Sequence, residues 1–329
     1  MRGKISRIEK SLVLVFVGIL CIALCSERLL AAEGFPKKEI KLIVGFSPGG
    51  TTDLNSRMLA GLASEDLGQR VIVVNKPGAT GTIGAAEVAA SKPDGYTVGF
   101  FPVLVINLAP FFIDVKYDPV KSFQPIVGTF SANYGFCVQQ KAPWKTFKEI
   151  IEWARKNPGE LSVSTTGKGA PHYPAMEYIA KKEKIKYKHV PYPGGLPSAT
   201  ALLGGHVKAH FGSGSHLPFL YSGQFRMLAA YSPKRQKKFA DVPTLKELGY
   251  DLPQSRTHLL LAPKGVPAPI LKKLEGAFGK AAQHRAYKRF VGRLYLDHDF
   301  RNTEAITALV KAEYKQWDEV LEQVGLKGK

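Results

Sequence analysis

The segment Ile40–Asp53 constrains the fold most, because it joins a short apolar strand to a helix through a glycine-rich turn. After the apolar residues Ile40 to Val44 come Phe46, Ser47, Pro48, Gly49, Gly50, Thr51, Thr52 and Asp53. Such a turn leaves backbone N–H groups free at the start of the helix, where the helix dipole adds positive potential. Adjacent glycines let a ligand approach the main chain, and threonine or aspartate can cap the helix. The segment predicts either a small anion site or an ordinary strand-to-helix turn.

The N-terminus has the residue order of a secretory signal. Four basic residues precede an apolar run from Leu12 to Cys25, and the pair Ala31-Ala32 follows. This is the charged, hydrophobic, small-residue order of an export signal, and the run is short for a membrane span. We therefore predict cleavage near Ala32 and a periplasmic protein. Retention of the segment as an N-terminal anchor is the alternative.

Cysteine and histidine usage argues against metal and redox sites. Two of the three cysteines lie in the predicted signal, so that the mature chain keeps only Cys137. A lone cysteine forms no internal disulfide and builds no cysteine metal site. The eight histidines show no metal-ligand spacing along the sequence. We predict that the protein has no metal and no cofactor.

The chain is strongly basic. Its formal net charge is +19, and removal of the signal, with five basic and two acidic residues, leaves +16. Such a surplus favours anionic partners. Since the sequence has no nucleic-acid motif and no basic stripe interleaved with aromatic residues, we expect small anions and no nucleic acid as partners.

The 297 residues after Ala32 suggest two domains of ordinary size. The first half alternates strands and helices: Ile40–Gly45, Leu54–Leu67, Val71–Val74, Ile83–Ser91 and Thr97–Phe101. This rhythm predicts a parallel, doubly wound sheet that binds ligands beyond the carboxyl ends of its strands. A second set of strands is predicted at Gly135–Gln139, Leu161–Ser164, Lys188–Pro191, Ala209–Phe211 and Met227–Tyr231, with helices at Phe147–Lys156, Tyr173–Glu183 and Ser198–Leu203. A strand at His258–Ala262 and helices at Ile270–Leu294 and Thr303–Val324 complete the chain.

The second half repeats the opening turn. The predicted strand that ends at Ser164 is followed by Thr165, Thr166, Gly167, Lys168, Gly169, Ala170, Pro171 and His172. If the two turns face each other, two helix N-termini hold a ligand across a cleft, and hydroxyl groups of Ser47, Thr51, Ser164 and Thr165 add hydrogen bonds. His172 stands at the helix start as a further candidate ligand contact, whereas the alternative for this turn is a purely structural role.

Nine short motifs occur in an order that resembles one family. They are Phe46–Asp53, Val74–Ala79, Lys92–Thr97, Tyr117–Phe123, Asn157–Gly159, His189–Tyr192, Gly204–Val207, Asp241–Thr244 and Ala262–Pro267. This order resembles the Bug/TctC family, the extracytoplasmic solute receptors of tripartite tricarboxylate transporters. The resemblance covers essentially the whole mature chain.

The resemblance implies an α/β fold of the periplasmic binding protein type, type II-like, in which two doubly wound lobes close like a Venus flytrap. We expect lobe 1 at 33–129 plus 258–329 and lobe 2 at 130–257, joined by a two-crossover hinge. The family's binding loops correspond to Ser47–Asp53, Ser164–His172, Tyr192 and the segment after Phe211, here Gly212 and Ser213. The implied partners are a small carboxylate and the membrane components of a transporter, and we expect a monomer.

Three departures from the family pattern bear on the ligand. Many members carry an acidic residue where this chain has Gly212, and Lys168 replaces a commonly neutral residue. The loop after Phe101 also differs, although its Asn107 is kept as a candidate contact. Because burial of an unpaired ammonium group costs several kcal/mol, we predict an organic acid without an amino group. Aliphatic di- or tricarboxylates are candidates, and so are aromatic carboxylates, for which Gly212 would leave room.

An exported α/β hydrolase-like enzyme that acts on an anionic substrate is the alternative function. The run Gly212-Ser213-Gly214-Ser215-His216 carries serine beside histidine, but it does not fit the nucleophile-elbow pattern. No acid–base pair or activated nucleophile stands out in the sequence. We therefore predict a receptor that leaves its ligand unchanged, not an enzyme.

Overall fold

A computed structural model describes residues 34–232, 234–252, 256–323 and 325–327. The predicted signal, Met1–Ala32, lies outside the described residues. Two β-sheets with helices packed against them form the described part of the chain. Of the helices that the structure describes, none combines the length and the apolar character needed to cross a bilayer.

Eleven strands make up the two sheets. They are β1 Ile40–Val44, β2 Val71–Asn75, β3 Thr97–Pro102, β4 Phe123–Ser131, β5 Tyr134–Gln139, β6 Leu161–Thr165, β7 Tyr187–Pro191, β8 Ala209–Gly212, β9 Phe225–Tyr231, β10 Thr257–Pro263 and β11 Asp297–Arg301. The first sheet has the order β11-β4-β10-β3-β1-β2 and the second the order β7-β6-β8-β5-β9. In β1, Leu42, Ile43 and Val44 are all buried, as expected for a strand covered on both faces.

The helices are α1 Thr51–Leu67, α2 Thr82–Ala89, α3 Val103–Leu108, α4 Phe147–Lys156, α5 His172–Glu183, α6 Gly195–Leu203, α7 Leu217–Tyr221, α8 Ala268–Gln283, α9 Arg285–Arg293 and α10 Thr303–Gln323. The single helix predicted over Ile270–Leu294 was wrong, because His284 breaks it. That residue takes an extended ψ of 141°, and its ring accepts a hydrogen bond from the Ala286 N–H at the start of α9.

The predicted parallel sheets are in fact mixed. β1 pairs in parallel with β2 and β3, and β6 pairs in parallel with β7 and β8. In the first sheet β10 lies antiparallel to β3 and β4, while in the second β5 lies antiparallel to β8 and β9. The antiparallel strands β4, β5, β9 and β10 flank the points where the chain passes between the sheets. The α/β character is as predicted, but the strand directions near the crossovers are not.

The chain passes from the first sheet to the second between Ser131 and Tyr134, and it returns between Tyr231 and Thr257. Asp299 joins the two crossover strands, because it accepts hydrogen bonds of 2.7 Å from the hydroxyls of both Ser131 and Thr257. The exact lobe boundaries given above stay a prediction. Below, lobe 1 means the first sheet with its helices, and lobe 2 means the second sheet with α4–α7.

Candidate functional site

A small cavity of about 30 Å³ lies between the lobes, at the ends of β1, β6 and β8. It brings together predicted residues from both glycine-rich turns and from the loop after β8: Phe46, Gly50, Thr51, Thr52, Thr166, His172 and Ser213. Pro171, in the predicted binding loop Ser164–His172, also lines it, and the lining residues that were not predicted are Pro102, Val105, Tyr134, Gly195 and Ser215. We call this space the interlobe cavity. No lysine, arginine, aspartate or glutamate is among the described residues that line it.

The lobe 1 turn presents backbone to the interlobe cavity. Gly50 is the N-cap of α1, and within the described residues no side chain caps this helix. The N–H groups of its first turn are therefore available to an anion. The Thr52 hydroxyl lies 3.3 Å from His258 Nε2 on β10, so that it also connects the turn to the sheet.

Asp53 stabilises the lobe 1 turn from the side that faces the protein interior. Its carboxylate accepts hydrogen bonds from the Gly49 N–H at 2.9 Å and from Asn75 Nδ2 at 2.8 Å, and it pairs with Arg57 at 2.9 Å. Burial by itself raises the pKa of Asp53, but the hydrogen bonds from Arg57, Gly49 and Asn75 outweigh it and lower the pKa. The predicted contact residue Asp53 thus has all of these protein partners and does not line the interlobe cavity.

The hydroxyls of the lobe 2 turn are also used within the protein. Ser164 Oγ donates to the Ser198 carbonyl at 2.9 Å. Thr165 Oγ1 accepts from the Gly167 N–H at 3.0 Å and lies 2.6 Å from His189 Nε2. Neither side chain lines the cavity, in contrast to Thr166.

His172 is the titratable side chain that the lobe 2 turn adds to the cavity wall. It is 3% exposed, and neither ring nitrogen has a hydrogen-bond partner among the described residues. Its ring packs edge-on against Tyr134 and Phe211, at centroid distances of 4.8 and 5.3 Å. Burial, with smaller effects of His216 and His189, lowers the pKa of His172 to about 3. A neutral imidazole beside the cavity can donate one hydrogen bond and accept another.

The remaining predicted residues lie outside the cavity wall, at defined places. Asn107 is buried in α3, and its Nδ2 donates to the Val310 carbonyl of α10 at 2.8 Å. Lys168 is exposed. Pro48 and Tyr192 line a separate surface depression. Ser47, Gly49, Gly167 and Gly169 lie in the turns themselves but do not line the cavity.

The expected space beside Gly212 is filled. A Cβ atom at this position would overlap the His210 ring, whose Nδ1 lies 3.0 Å from the Ser198 hydroxyl. Burial lowers the pKa of His210 well below its ordinary value, so that the ring is neutral. The prediction that Gly212 leaves room for a planar ring was therefore wrong, because the imidazole of His210 already occupies that space.

The lobes are in contact around the interlobe cavity. Ser47 Oγ donates to the Pro193 carbonyl at 3.3 Å, and a Cβ atom on Gly169 would lie 2.7 Å from Ala109 Cβ. Ordinary ligand sites enclose about 300–1,000 Å³. The cavity is far smaller than this in the arrangement described here.

Chemically, the cavity offers helix N–H groups, threonine and serine hydroxyls and a neutral imidazole. These groups suit a carboxylate. Among the described residues no cluster of histidine, cysteine, aspartate and glutamate is arranged to hold a metal ion. Sequence reasoning missed Tyr134 and Gly195. The sequence contained a signal for Gly195, since Gly194-Gly195, like Gly49-Gly50, is a pair of adjacent glycines between a strand and a helix.

Comparison with known proteins gives a consistent result. A family model described as the tripartite tricarboxylate transporter family receptor, TctC, matches residues 56–326. The UPF0065 protein in the gbd 5′ region of Cupriavidus necator is 35% identical over 295 residues, which cover 90% of each chain. The match confirms the resemblance that the sequence motifs indicated.

Solved structures with the same fold include periplasmic binding proteins. BugD, described as a periplasmic binding protein, has a TM-score of 0.83 at 28% identity over 89% of this chain and 99% of its own. MatC from Rhodopseudomonas palustris, solved with bound malate, has a TM-score of 0.80 at 26% identity over 87% of this chain and 100% of its own. An R. palustris protein solved with adipate has a TM-score of 0.81 at 25% identity over 88% of this chain and 98% of its own.

Proposed function

The chain belongs to the TctC family of tripartite tricarboxylate transporter receptors, and we propose that it is a periplasmic receptor for a small organic carboxylate. It closes its lobes over the ligand in the interlobe cavity and delivers it to the membrane components of a tripartite tricarboxylate transporter. It acts as a monomer and leaves the ligand chemically unchanged.

The observation that carries this proposal is the meeting of two helix N-termini in a cavity without side-chain charge. The turns before α1 and α5 both line the interlobe cavity through Gly50, Thr51, Thr166 and His172. An uncapped helix N-terminus favours an anion, and hydroxyl groups add directed hydrogen bonds. A ligand with one carboxylate at each end can use both turns at once. Malate and adipate, held by two structures of the same fold, are acids of this type.

The same cavity disfavours amino acids. An ammonium group needs an acidic partner when it is buried, and no described residue that lines the cavity is acidic. The ring of His210 beside Gly212 also takes the space in which an acidic side chain or an aromatic ligand would lie. Among the candidate ligands, aliphatic di- and tricarboxylates therefore rank above aromatic carboxylates.

The alternative, a hydrolase-like enzyme, lacks support at its candidate serines. His216 Nδ1 lies 3.1 Å from the backbone carbonyl of Ser213, and its Nε2 has no partner among the described residues. A catalytic triad needs this ring to bond a serine hydroxyl on one side and an acid on the other. Neither bond is found among the described residues, which supports binding without turnover.

A thermal-shift screen tests the proposal on the chain that begins at Glu33. We expect malate or adipate to raise the melting temperature, and aspartate and glutamate to leave it unchanged. A ligand at one hundred times its Kd stabilises a folded protein by about 2.7 kcal/mol, which such a screen detects readily. Proton NMR of the recovered ligand is the control for turnover. Equal stabilisation by aspartate, or consumption of the ligand, would contradict the proposal.

A further inference from the structure

A second and much larger cavity also lies at the junction between the lobes. Its volume is about 530 Å³, against about 30 Å³ for the interlobe cavity. Small-molecule sites usually enclose about 300–1,000 Å³, so that this cavity has room for a ligand in the closed arrangement. We call it the basic cavity, after the side chains described next.

Four cationic residues line the basic cavity: Lys234, Arg235, Lys238 and Arg256. Two of them have acidic partners, since Arg235 pairs with Glu247 at 2.9 Å and Arg256 with Asp297 at 3.3 Å. For Lys234 and Lys238 no acidic partner is found within the described part of the chain. The lining, which also includes Asp297, therefore carries two ammonium groups for which no ion pair is found among the described residues.

Aromatic rings form one wall of the cavity and join the lobes there. Tyr221 at the end of α7, in lobe 2, stacks on Tyr295, just before β11 in lobe 1, with a centroid distance of 3.7 Å. Lys238 Nζ lies 4.0 Å from the centroid of the Tyr295 ring. Contact with a ring face holds an ammonium group by a cation–π interaction while its N–H donors remain open to another partner.

We propose that the basic cavity is a second ligand site, specific for a small polyanion with two or more carboxylate or phosphate groups. Two anionic groups balance the charge of both Lys234 and Lys238, whereas one anionic group balances the charge of only one. Arg256, at the crossover between the lobes, lies in the same lining, and its charge is balanced by Asp297. The site is distinct from the interlobe cavity, with which it shares no lining residue.

Occupancy of the basic cavity promotes closure. Its lining comes from lobe 2 through Tyr221 of α7 and from lobe 1 through Tyr295 and Leu296, while Lys234 and Lys238 lie in the segment that returns from lobe 2 to lobe 1. A ligand that contacts both lobes binds the closed form better than the open form and shifts the population towards it. By linkage, the same polyanion raises affinity for the ligand of the interlobe cavity. This consequence rests on the proposed function, but binding at the basic cavity does not.

Calorimetric titration with pyrophosphate and, separately, with citrate tests the site on the chain that begins at Glu33. The test variant is Lys234→Gln with Lys238→Gln. Lys272→Gln with Lys273→Gln, two exposed lysines of α8, is the control with the same change in net charge. A Gly50→Val background keeps the interlobe cavity out of the measurement. The titrations with pyrophosphate and with citrate are both begun at low salt, since salt screens exposed charges.

We expect saturable 1:1 binding of at least one probe, a loss of tenfold or more in the test variant and less than twofold change in the control. Binding of citrate alone would assign the site to polycarboxylates, and binding of pyrophosphate alone to phosphate compounds. Binding of neither probe, or an equal loss in the test and control variants, would overturn the proposal. Melting curves of each variant confirm that it is folded. A dicarboxylate titration of the wild-type chain tests the proposed function separately.

Discussion

The two glycine-rich turns that meet in the interlobe cavity have similar sequences but are held in different ways. In lobe 1 a buried carboxylate, Asp53, accepts hydrogen bonds from Gly49 and Asn75 and pairs with Arg57. In lobe 2 the hydroxyl of Thr165 accepts from the Gly167 N–H and contacts the neutral ring of His189. An ionic network stabilises the first turn, whereas uncharged hydrogen bonds stabilise the second.

The difference separates the residues that build a turn from those that face the interlobe cavity. The polar side chains with most hydrogen-bond partners, Asp53, Ser164 and Thr165, point into the protein. The main chain at Gly50 and the residues Thr166 and His172 are left to face the cavity. The charged side chains of the lobe 1 turn therefore lie on its protein side, and the cavity side is left to main chain and uncharged side chains.

The contrast between the two turns is tested most strongly at Gly50, where the lobe 1 turn presents only main-chain atoms to the cavity. Gly50→Val adds bulk to the cavity wall, and we expect a loss of about 2 kcal/mol or more in ligand binding, the cost of unmade charge-assisted hydrogen bonds. Gly61→Val, in the same helix with open space around it, is the matched control. Calorimetry that finds a folded Gly50→Val variant with unchanged affinity would remove this turn from the site.

The two ways of holding the turns predict unequal stability losses. Asp53→Asn removes the ion pair between the Asp53 carboxylate, whose side chain is 2% exposed, and the half-exposed Arg57. We expect the free energy of unfolding to fall by about 2 kcal/mol. Thr165→Val removes neutral hydrogen bonds and should cost about 1 kcal/mol. Urea denaturation measures both. Equal costs would show that the ionic network adds nothing to the lobe 1 turn.

Acid should weaken the contribution of Asp53 to the lobe 1 turn. The pKa of Asp53 is lowered in the folded state from its ordinary value of 3.8. A group with a lowered pKa stabilises the fold above its unfolded pKa, and this contribution disappears as the pH falls through the folded pKa. The stability difference between wild type and Asp53→Asn should therefore be full at pH 6 and shrink towards pH 3. A pH-independent difference in urea denaturation would contradict the ionic account.

Gly167 tests whether the lobe 2 turn must approach lobe 1. It has a φ of +114°, and a Cβ atom there would overlap Thr80 Oγ1 of lobe 1. We expect Gly167→Ala to lower ligand affinity about tenfold, or about 1.4 kcal/mol, and Thr80→Ala to restore most of it. Gly159→Ala, with a φ of +83° and no neighbour within 4 Å, controls for backbone strain alone. Failure of Thr80→Ala to rescue binding would place the defect in the turn itself.

The smallest expected effect is that of pH on binding. Burial holds the pKa of His172 at about 3 and that of His216 at about 4, so that both rings are neutral at pH 6–8. Affinity for a dicarboxylate should change less than about twofold between these pH values. A marked gain in affinity towards pH 6 would mean instead that the ligand draws a proton onto one of these rings. Calorimetry in two buffers of different ionisation enthalpy separates the two cases.

Local signals in the sequence predicted much of the fold. Helix α4 was predicted residue for residue, and in the structure the Thr146 hydroxyl caps it by accepting from the Glu149 N–H. Strands β4 and β11 were missed, since β4 contains Pro125 and Gly128 and β11 is largely charged. Their pairing is set by neighbours that are distant in the sequence.

The site was only partly predictable for the same reason. Sequence identifies a turn, but not which of its side chains bond back to the protein. Asn107 bonds to Val310, 203 positions away, and Tyr134 reaches the cavity from the start of β5. A pair of adjacent glycines, by contrast, can be identified in the sequence. Gly194-Gly195 could have been predicted to line the site together with the two glycine-rich turns. Tertiary contacts therefore determine which side chains face the cavity, whereas the local sequence determines where the turns lie.

Closure of both turns over one ligand is the central claim, and small-angle X-ray scattering tests it most directly. Profiles of the chain that begins at Glu33 are recorded without ligand and with a saturating dicarboxylate identified by the thermal-shift screen. The ligand should reduce the radius of gyration, because the lobes must separate to admit it and close to hold it. Identical profiles at saturating ligand would contradict capture between the lobes.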